Sequence, residues 1–242
     1  MKERIRKFDF EGKHFLDIGA GTGNISTLFL KSGMSGLGMD LNPSSCERNK
    51  LLNEKFVQTG LYEIRNEDYF QLPSESKFDL IFSSMVIEHL SDEDVARYFA
   101  KAKQLLKPAG RIVTIVPAGM KYWGIEDEIA GHYKRYSRSC FTKLAQTHEL
   151  EIVNLSGLTY PISNFLLGIS NTLVKKGESS KKETSMQERT INSSNRGVKY
   201  KTDFPTYFKW FLNDYTLLPL HIVQKRFAKS EKSMVLYCEM TH

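Results

Sequence analysis

An acid and three alternating glycines stand at residues 15–26, which read FLDIGAGTGNIS. The acid, Asp17, ends a short apolar run, and the glycines that follow it are Gly19, Gly21 and Gly23. A strand that turns this tightly into a helix needs residues without a Cβ, so that a ligand can lie against the backbone. A dinucleotide turn follows the pattern G-x-G-x-x-G, whose third glycine would fall at Asn24. The spacing acid-x-G-x-G-x-G therefore predicts a ligand-binding turn of a different kind.

A second acid, Asp40, ends the segment GLGMD at residues 36–40. This segment has the composition of a second strand, so we expect Asp40 at the strand end near the glycine turn. A carboxylate there is suited to accept hydrogen bonds from the two hydroxyls of a ribose. Enzymes that bind dinucleotides also place an acid at this point, so Asp40 predicts a nucleoside ligand without selecting the cofactor.

Strands and helices alternate along the chain and position these groups. The predicted strands span residues 13–18, 36–40, 61–68, 78–83, 111–116, 150–158 and 231–240. The predicted helices span residues 25–31, 43–56, 92–106 and 139–148, and Pro108 and Gly110 close the third. This alternation is typical of an α/β fold, and we expect a Rossmann-like, doubly wound, mostly parallel seven-stranded sheet with an insertion before the last strand. Such sheets bind ligands beyond the carboxyl ends of their strands.

The composition is that of an ordinary globular protein of 242 residues, with a formal net charge of +6. Its length suits a single domain, residues 1–242, with a sizeable core. Cys46, Cys140 and Cys238 lie far apart without C-x-x-C spacing, which argues against a disulfide framework and a zinc site. The first residues lack the apolar stretch of a signal peptide, and no apolar run approaches the roughly 18 residues that span a bilayer. We therefore expect a cytoplasmic protein.

Two further segments complete an ordered set of motifs. Residues 78–94 read FDLIFSSMVIEHLSDED, and residues 108–118 read PAGRIVTIVPA. Together with the glycine turn, they resemble the motifs of class I S-adenosylmethionine (SAM)-dependent methyltransferases, and the resemblance covers residues 15–118. It implies SAM as the cofactor and S-adenosylhomocysteine (SAH) as its product.

The resemblance also implies a role for the groups around the glycine turn. The first acid and the glycine backbone meet the amino-acid end of the cofactor, and the acid of the second strand holds its ribose. An acid after the third strand takes the adenine amino group; Asp68 aligns better than Glu67, and either is alternatively a solvated acid. The cofactor-binding residues implied in this way are Asp17, Gly19, Ala20, Gly21, Gly23, Asn24, Asp40, Leu41, Asp68, Tyr69, Ser83 and Ser84.

A histidine-containing segment follows the predicted fifth strand, where residues 124–137 read GIEDEIAGHYKRYS. It resembles a subgroup of these methyltransferases from glycan and lipid-linked pathways, and it parallels a segment over the acceptor pocket of ubiquinone-type O-methyltransferases. A hydroxyl acceptor has to lose a proton, and a histidine is suited to accept it. His132 is therefore the first candidate base, and the alternative is that it only orients the loop. His89 and Tyr133 are the other catalytic candidates.

Two groups of charged residues have more than one interpretation. The resemblance implies that the pair Glu88–His89 serves structure near the site by capping and hydrogen bonding, with a metal or acid/base role as the alternative. Two ligands are too few for a closed metal site, so no bound metal is expected. The basic residues Lys134, Arg135 and Arg138 are suited to bind a carboxylate or phosphate of the acceptor. Alternatively, they belong to the solvated start of a helix.

A long excursion, residues 160–230, separates the last two predicted strands. Its residues 175–203 carry almost no core-forming side chains, which predicts a flexible segment. We expect residues 161–227 to form the acceptor pocket and its lid. The aromatic side chains expected to face the substrate are Tyr207, Phe208, Trp210, Phe211 and Tyr215, and the substrate-binding candidates of the excursion are Tyr160, Tyr207 and Trp210. Alternatively, these aromatics form the core of two extra helices, or they and nearby basic residues contact an anionic membrane at the inner membrane surface.

The sequence thus predicts a SAM-dependent methyltransferase that acts on a small-molecule, lipid-linked or glycan-linked acceptor, at oxygen. Nucleic-acid methylation is disfavoured, because residues 83–86 read SSMV where such enzymes carry N-P-P-[YF] and the positive charge forms no stripe. The sequence leaves open a protein substrate, a SAM-binding regulatory protein without turnover and a nicotinamide-dependent oxidoreductase. Asn24 in place of a glycine counts against the oxidoreductase. The oligomeric state is left open.

Overall fold

The computed structural model describes residues 10–167, 213 and 216–242. Seven strands form one sheet: β1 His14–Ile18, β2 Ser35–Met39, β3 Tyr62–Arg65, β4 Phe78–Ser84, β5 Leu106–Pro117, β6 Glu151–Gly157 and β7 Val235–Thr241. Their order in the sheet is β3-β2-β1-β4-β5-β7-β6. Strands β1 to β5 pair in parallel, and β7 is antiparallel to both β5 and β6. The predicted seven-stranded, mostly parallel α/β sheet is therefore confirmed.

Seven α-helices lie entirely within the described residues and accompany the sheet. They are α1 Asn24–Leu30, α2 Pro43–Leu52, α3 Glu54–Gln58, α4 Asp92–Leu105, α5 Ile125–Ala130, α6 Arg138–Thr147 and α7 Leu218–Arg226. In addition, short 3₁₀ turns span Tyr69–Gln71, Ile87–His89 and Met120–Tyr122. Within the described ranges, no helix has the length and apolar character that crossing a membrane requires.

Two predicted boundaries differ from the structure for local reasons. The helix predicted over 43–56 is interrupted at Asn53, whose buried side chain donates hydrogen bonds to the Gly23 carbonyl and the Asn49 side chain. The turn predicted at Pro108 and Gly110 lies inside β5, which begins at Leu106. Thr241 at the end of β7 donates a hydrogen bond to the Gly110 carbonyl, so this part of the chain is held to the sheet.

The side chains of each central strand alternate between two apolar layers. Phe15 packs with Phe29, Tyr62 and Phe82 in one layer, whereas Leu16 belongs to the other layer. Successive side chains of a strand point to opposite faces, and a parallel sheet is covered by helices on both. This packing fixes the direction of each strand and brings the carboxyl ends of the parallel strands to one edge.

The strand order reverses at β1. The chain leaves β1 toward β2 and β3 on one side, then returns to β4 on the other side of β1. In open α/β sheets, ligands bind beyond the carboxyl ends of the strands at such a switch point. The glycine-rich turn, which follows β1, lies at this point.

Candidate functional site

A large open cavity, about 1000 Å³ in volume, runs along the carboxyl edge of the sheet. Residues at or just after the ends of β1, β2, β3 and β4 line one part of it, including Gly19, Asp40, Asp68 and Ser84. Residues after β5, including His132, line the neighbouring part. The fold therefore joins the predicted cofactor-binding segments and the predicted catalytic histidine in one cavity.

The glycine turn is shaped by contacts with β2, α2 and the loop after β4. The backbone N–H groups of Gly19 and Ala20 both donate to the Met39 carbonyl, at 2.9 and 3.0 Å. Gly19 has a φ of +68°, and a Cβ there would lie 2.5 Å from Cγ2 of Val86. Gly23 has a φ of +83°, and a Cβ there would lie 2.0 Å from Oδ1 of Asn49. Both positions thus need glycine for conformation and for space.

Asp17 is buried beneath the turn and does not line the cavity. Its Oδ2 accepts a hydrogen bond of 2.6 Å from the Ser26 hydroxyl, which accepts one of 2.8 Å from the hydroxyl of Tyr62. Burial raises the pKa of the Asp17 carboxyl to about 7. At neutral pH the Asp17 carboxyl is therefore only partly ionised. It lies under the segment that the sequence assigns to the amino-acid end of the cofactor.

Asp40 lines the cavity and is tied to the glycine turn. Its Oδ2 accepts from the backbone N–H of Gly21 and its Oδ1 from that of Asn42, both at 2.8 Å. Partial burial raises the pKa of this carboxyl, and the two hydrogen bonds oppose that rise. Each carboxylate oxygen can accept a further hydrogen bond. This geometry suits the role in ribose binding that the sequence predicts, and the exposed Leu41 lies beside it in the cavity lining.

The adenine-side candidates also meet at the cavity. Both Glu67 and Asp68 line it, so their placement does not choose between the two predicted acids. Asp68 accepts a hydrogen bond of 2.9 Å from the backbone N–H of Phe70 and so begins a short 3₁₀ turn. Tyr69 lines the cavity, and its hydroxyl donates to the backbone carbonyl of Tyr98.

The two serines at the end of β4 have different environments. Ser84 lines the cavity, whereas Ser83 is fully buried. The hydroxyl of Tyr98 donates to Ser83, which contacts the hydroxyl of Thr114. Strand alternation explains the difference, because neighbouring residues point to opposite faces. The structure thus brings Ser84 to the site, but it places Ser83 in a polar contact between the sheet and α4.

The remaining predicted loop residues contribute backbone and support. Ala20, Gly21 and Gly23 belong to the turn and Asn24 begins α1, and none of these four residues lines the cavity. Asn24 is exposed, and its amide donates to the Thr22 hydroxyl.

A buried carboxylate orients the catalytic histidine candidate. Oδ1 of Asp127 lies 2.8 Å from Nδ1 of His132 and accepts a second 2.8 Å hydrogen bond from Nε of Arg135. Its Oδ2 accepts from the backbone N–H of Gly124. Burial acts to raise the pKa of Asp127, but the hydrogen bonds from His132 and Arg135 hold it below its usual range. An ionised Asp127 makes Nδ1 of His132 the donor and leaves the lone pair of its neutral ring on Nε2.

Glu88 and His89 lie next to this pair. Nε2 of His132 is 3.9 Å from Oε1 of Glu88, and the two histidine rings meet edge to face with centroids 4.7 Å apart. Glu88 is fully buried, and among the described residues no group hydrogen-bonds to either of its carboxylate oxygens. Burial raises the pKa of this carboxyl to about 8. Nδ1 of His89 lies 3.3 Å from the Gly131 carbonyl.

The three predicted anion-binding residues all have partners within the protein. Lys134 pairs with Asp92, and Arg135 pairs with the buried Asp127. Arg138 donates to the carbonyls of Leu155 and Ala228 at 2.7 and 2.6 Å and pairs with Glu231. Of the three, Arg135 lines the cavity. Their placement therefore shows structural pairing, and binding of an acceptor anion stays a prediction.

The other predicted site residues differ in whether they line the cavity. Tyr133 lines the cavity and is 55% exposed. Tyr160 does not line it and packs edge to face on Phe227. Tyr207, Phe208, Trp210, Phe211 and Tyr215, like the segment 175–203, lie outside the described residues. Contact with an anionic membrane and the lid role of residues 161–227 stay predictions.

Several lining residues were not predicted from the sequence. Asp127 stands in the acid-rich motif before His132, so its type and spacing were visible but its buried contact was not. Thr159, Met234 and Val235 also line the cavity. Thr159 follows β6 and the other two lie at the start of β7, and no local motif distinguishes them.

Comparison with known proteins shows which family this chain belongs to. A family model described as a methyltransferase domain matches residues 1–155. An uncharacterised methyltransferase of Geobacillus kaustophilus is 35% identical over 106 residues, which cover 43% of this chain and 47% of that protein. The ubiquinone biosynthesis O-methyltransferase of Bartonella bacilliformis is 26% identical over 170 residues, 62% of this chain and 65% of the relative. The chain thus matches less than two thirds of the length of each relative.

Solved structures share the fold at low identity. A putative sarcosine dimethylglycine methyltransferase from Galdieria sulphuraria has a TM-score of 0.61 at 14% identity, and the match covers 99% of this chain and 84% of that one. The magnesium protoporphyrin IX methyltransferase of Synechocystis with bound SAH has a TM-score of 0.53 at 14% identity, covering 64% and 74%. At this identity the likeness concerns the fold alone.

Proposed function

Because the chain belongs to the family of class I SAM-dependent methyltransferases, we propose that it transfers the methyl group of SAM to a hydroxyl of a small, largely apolar acceptor. The observation that carries this proposal is the oriented pair Asp127–His132 in the same cavity as the glycine turn. A site for the methyl donor and a group that can accept a proton thus stand side by side.

In this proposal, residues at the ends of β1 to β4 hold the methyl donor. Asp40 offers oxygen acceptors for a ribose, and Gly19 lines the cavity with its backbone. Glu67 or Asp68 is available to an adenine amino group. SAM supplies a methyl group already activated on a sulfonium, so the protein mainly has to align donor and acceptor.

The acceptor proton passes to His132 in this proposal. Asp127 fixes the neutral ring with its lone pair on Nε2 and stabilises the imidazolium that forms when Nε2 takes the hydroxyl proton. The charge on Asp127 is also balanced by Arg135, which favours a permanently ionised carboxylate. Nitrogen acceptors need less help of this kind, which favours oxygen as the methylated atom.

The rest of the acceptor side disfavours an anionic molecule. Its lining includes the apolar side chains of Leu166, Met234 and Val235, together with Tyr122. Arg135, the cationic residue in this lining, is already paired with Asp127. A carboxylate or phosphate would have to compete for that cation, whereas an apolar ring or chain with one hydroxyl would not. The Bartonella relative, named for O-methylation in ubiquinone biosynthesis, supports the same class of acceptor.

The test combines cofactor titration with an acceptor panel. We expect calorimetry to show binding of SAM and SAH but not of NAD. We expect labelled methyl to move from SAM to uncharged phenols or hydroquinones, in preference to the matched amines and to the corresponding phosphate esters. Transfer to the amines alone would contradict the oxygen assignment, and NAD binding without SAM binding would overturn the proposal.

A further inference from the structure

We propose that Glu88, His89 and His132 form a binding site for one divalent transition-metal ion, of the class of Zn²⁺ or Co²⁺. The ligand atoms of these three residues lie within 4.8 Å of one another. Two of the residues are adjacent in sequence, in the 3₁₀ turn after β4, and the third arrives from the segment after α5. A modest closing of this triangle brings each atom to the roughly 2.0–2.2 Å that nitrogen and oxygen ligands keep from zinc.

The buried carboxylate of Glu88 is the observation that points to a cation. Glu88 and Asp127 are equally buried, at 0% exposure. Asp127 receives hydrogen bonds from His132, Arg135 and Gly124, whereas no other described residue donates a hydrogen bond to the carboxylate of Glu88. A buried polar group without partners is costly, and a bound ion is one of the few ways to satisfy it.

The histidines are arranged as metal ligands are. A metal-bound histidine usually donates its other ring N–H to a carboxylate or a backbone carbonyl, which fixes the ring and the tautomer. Nδ1 of His132 faces Asp127 at 2.8 Å, and Nδ1 of His89 faces the Gly131 carbonyl at 3.3 Å. In both rings this arrangement puts the lone pair on Nε2. The Nε2 of His132 is the atom that faces Glu88, at 3.9 Å.

The donor set selects the kind of ion. Two neutral imidazoles and one carboxylate suit Zn²⁺, Co²⁺ and related ions, whereas Mg²⁺ and Ca²⁺ prefer sets made of oxygen. Three protein ligands leave at least one coordination position free. His89 and His132 both line the cavity, so the ion can enter from it and the free position is open to it.

Only the role of the ion in the reaction rests on the proposed function, whereas the binding of the ion does not. A hydroxyl that binds the ion loses its proton more readily, because the positive charge stabilises the oxyanion. With the ion bound, Nε2 of His132 is a ligand, and the hydroxyl proton passes to water in the open cavity. Without the ion, His132 accepts the proton directly, as proposed above. Metal binding and methyl transfer therefore have to be measured separately.

The experiment uses the full chain without a polyhistidine tag, stripped with chelator and titrated with Zn²⁺ by calorimetry and with Co²⁺ by visible absorption. We expect about one equivalent to bind, with Co²⁺ bands of a site of low coordination number. Glu88→Gln and His132→Ala should each abolish saturable binding. Asp127→Asn, which alters the group that orients His132 but leaves all three proposed ligands in place, should weaken binding by about 10–100-fold. Glu128→Gln, an exposed acid on the same short helix, is the matched control and should bind as the wild type does.

SAH affinity is measured for every variant, because unchanged SAH binding shows that the sheet edge is intact. Absence of saturable binding to the wild-type chain, or binding to Glu88→Gln and His132→Ala as tight as to the wild type, would overturn the proposed metal site. Methyl transfer in excess chelator reports on the proposed function independently. A chain that binds no metal but still methylates a hydroxyl therefore refutes the metal site and leaves that function standing.

Discussion

Replacing Asp17 with asparagine should make the stability of the protein less dependent on pH. Asp17 is fully buried, and its hydrogen bond from Ser26 does not compensate for the loss of water around an ionised carboxylate. Burial raises its pKa from an ordinary value of 3.8 to about 7 in the folded protein. Asparagine keeps the shape and can still accept from the serine, but it never ionises.

The sign follows from proton binding. Between pH 4 and pH 7 the folded state holds the Asp17 proton while the unfolded chain has released it, so the free energy of unfolding falls as pH rises through this window. A tenfold change in an equilibrium corresponds to about 1.4 kcal/mol, so the full penalty above pH 7 is at most about 4 kcal/mol. About 3 kcal/mol of that develops between pH 5 and pH 8, and relaxation of the site makes the measured value smaller. We therefore expect Asp17→Asn to gain about 1–3 kcal/mol relative to the wild type on going from pH 5 to pH 8.

Urea unfolding at these two pH values, followed by circular dichroism without SAM, measures this difference. Asp79→Asn is the matched control: partial burial acts to raise the pKa of Asp79, but hydrogen bonds from Lys107 and the His14 N–H hold it below its ordinary value. Its carboxyl is therefore ionised in both the folded and the unfolded chain from pH 5 to pH 8, so the stability difference between this variant and the wild type should stay constant across that range. If the stability difference between Asp17→Asn and the wild type is also unchanged from pH 5 to pH 8, burial does not raise the pKa of Asp17 and the reasoning is wrong.

Three further substitutions test the turn, the ribose acid and the base. Gly23→Ala should lower the free energy of unfolding by roughly 2–4 kcal/mol, because it forces a positive φ and breaks buried hydrogen bonds; Gly60→Ala, with positive φ but nothing within 4 Å, should cost less in the same urea titration. Asp40→Ala should weaken SAH binding by roughly 1–3 kcal/mol in calorimetry, and unchanged affinity would contradict its role at the ribose. His132→Ala should lower kcat for a hydroxyl acceptor by about 10²–10⁴ while sparing SAH affinity. A near-normal rate, equal to that of the exposed control His221→Ala, would leave His132 only a supporting role.

The fold was predictable because its signals are local. Strands β1, β4 and β5 contain short apolar runs, and the turn after β1 is marked by glycines that the backbone conformation requires at Gly19 and Gly23. The interruption of the predicted helix 43–56 was not predictable in this way. Asn53 ends it because its side chain bonds to the Gly23 carbonyl, a contact that spans 30 residues.

Ser83 and Ser84 show that a sequence motif does not determine which of two neighbouring side chains enters the site. Both belong to one motif, and sequence reasoning assigns both to the cofactor. The orientation of the strand sends one into the cavity and the other to the hydroxyl of Tyr98. The basic residues Lys134, Arg135 and Arg138 show the same limit. Their composition suits an anion, whereas the folded chain pairs each of them with protein groups.

By itself, the sequence determined that this chain has a doubly wound sheet, a glycine-rich turn suited to a nucleoside ligand after its first strand and a histidine after its fifth strand. Those features depend on the order and spacing of neighbouring residues, which a linear chain displays. Only the tertiary structure decided that Glu88 lies buried without a described partner beside His132, 44 positions later, and that Asp127 orients that histidine. The physical reason is that burial and hydrogen bonding between distant segments set the charge and tautomer of a side chain, and both arise only when the segments pack together.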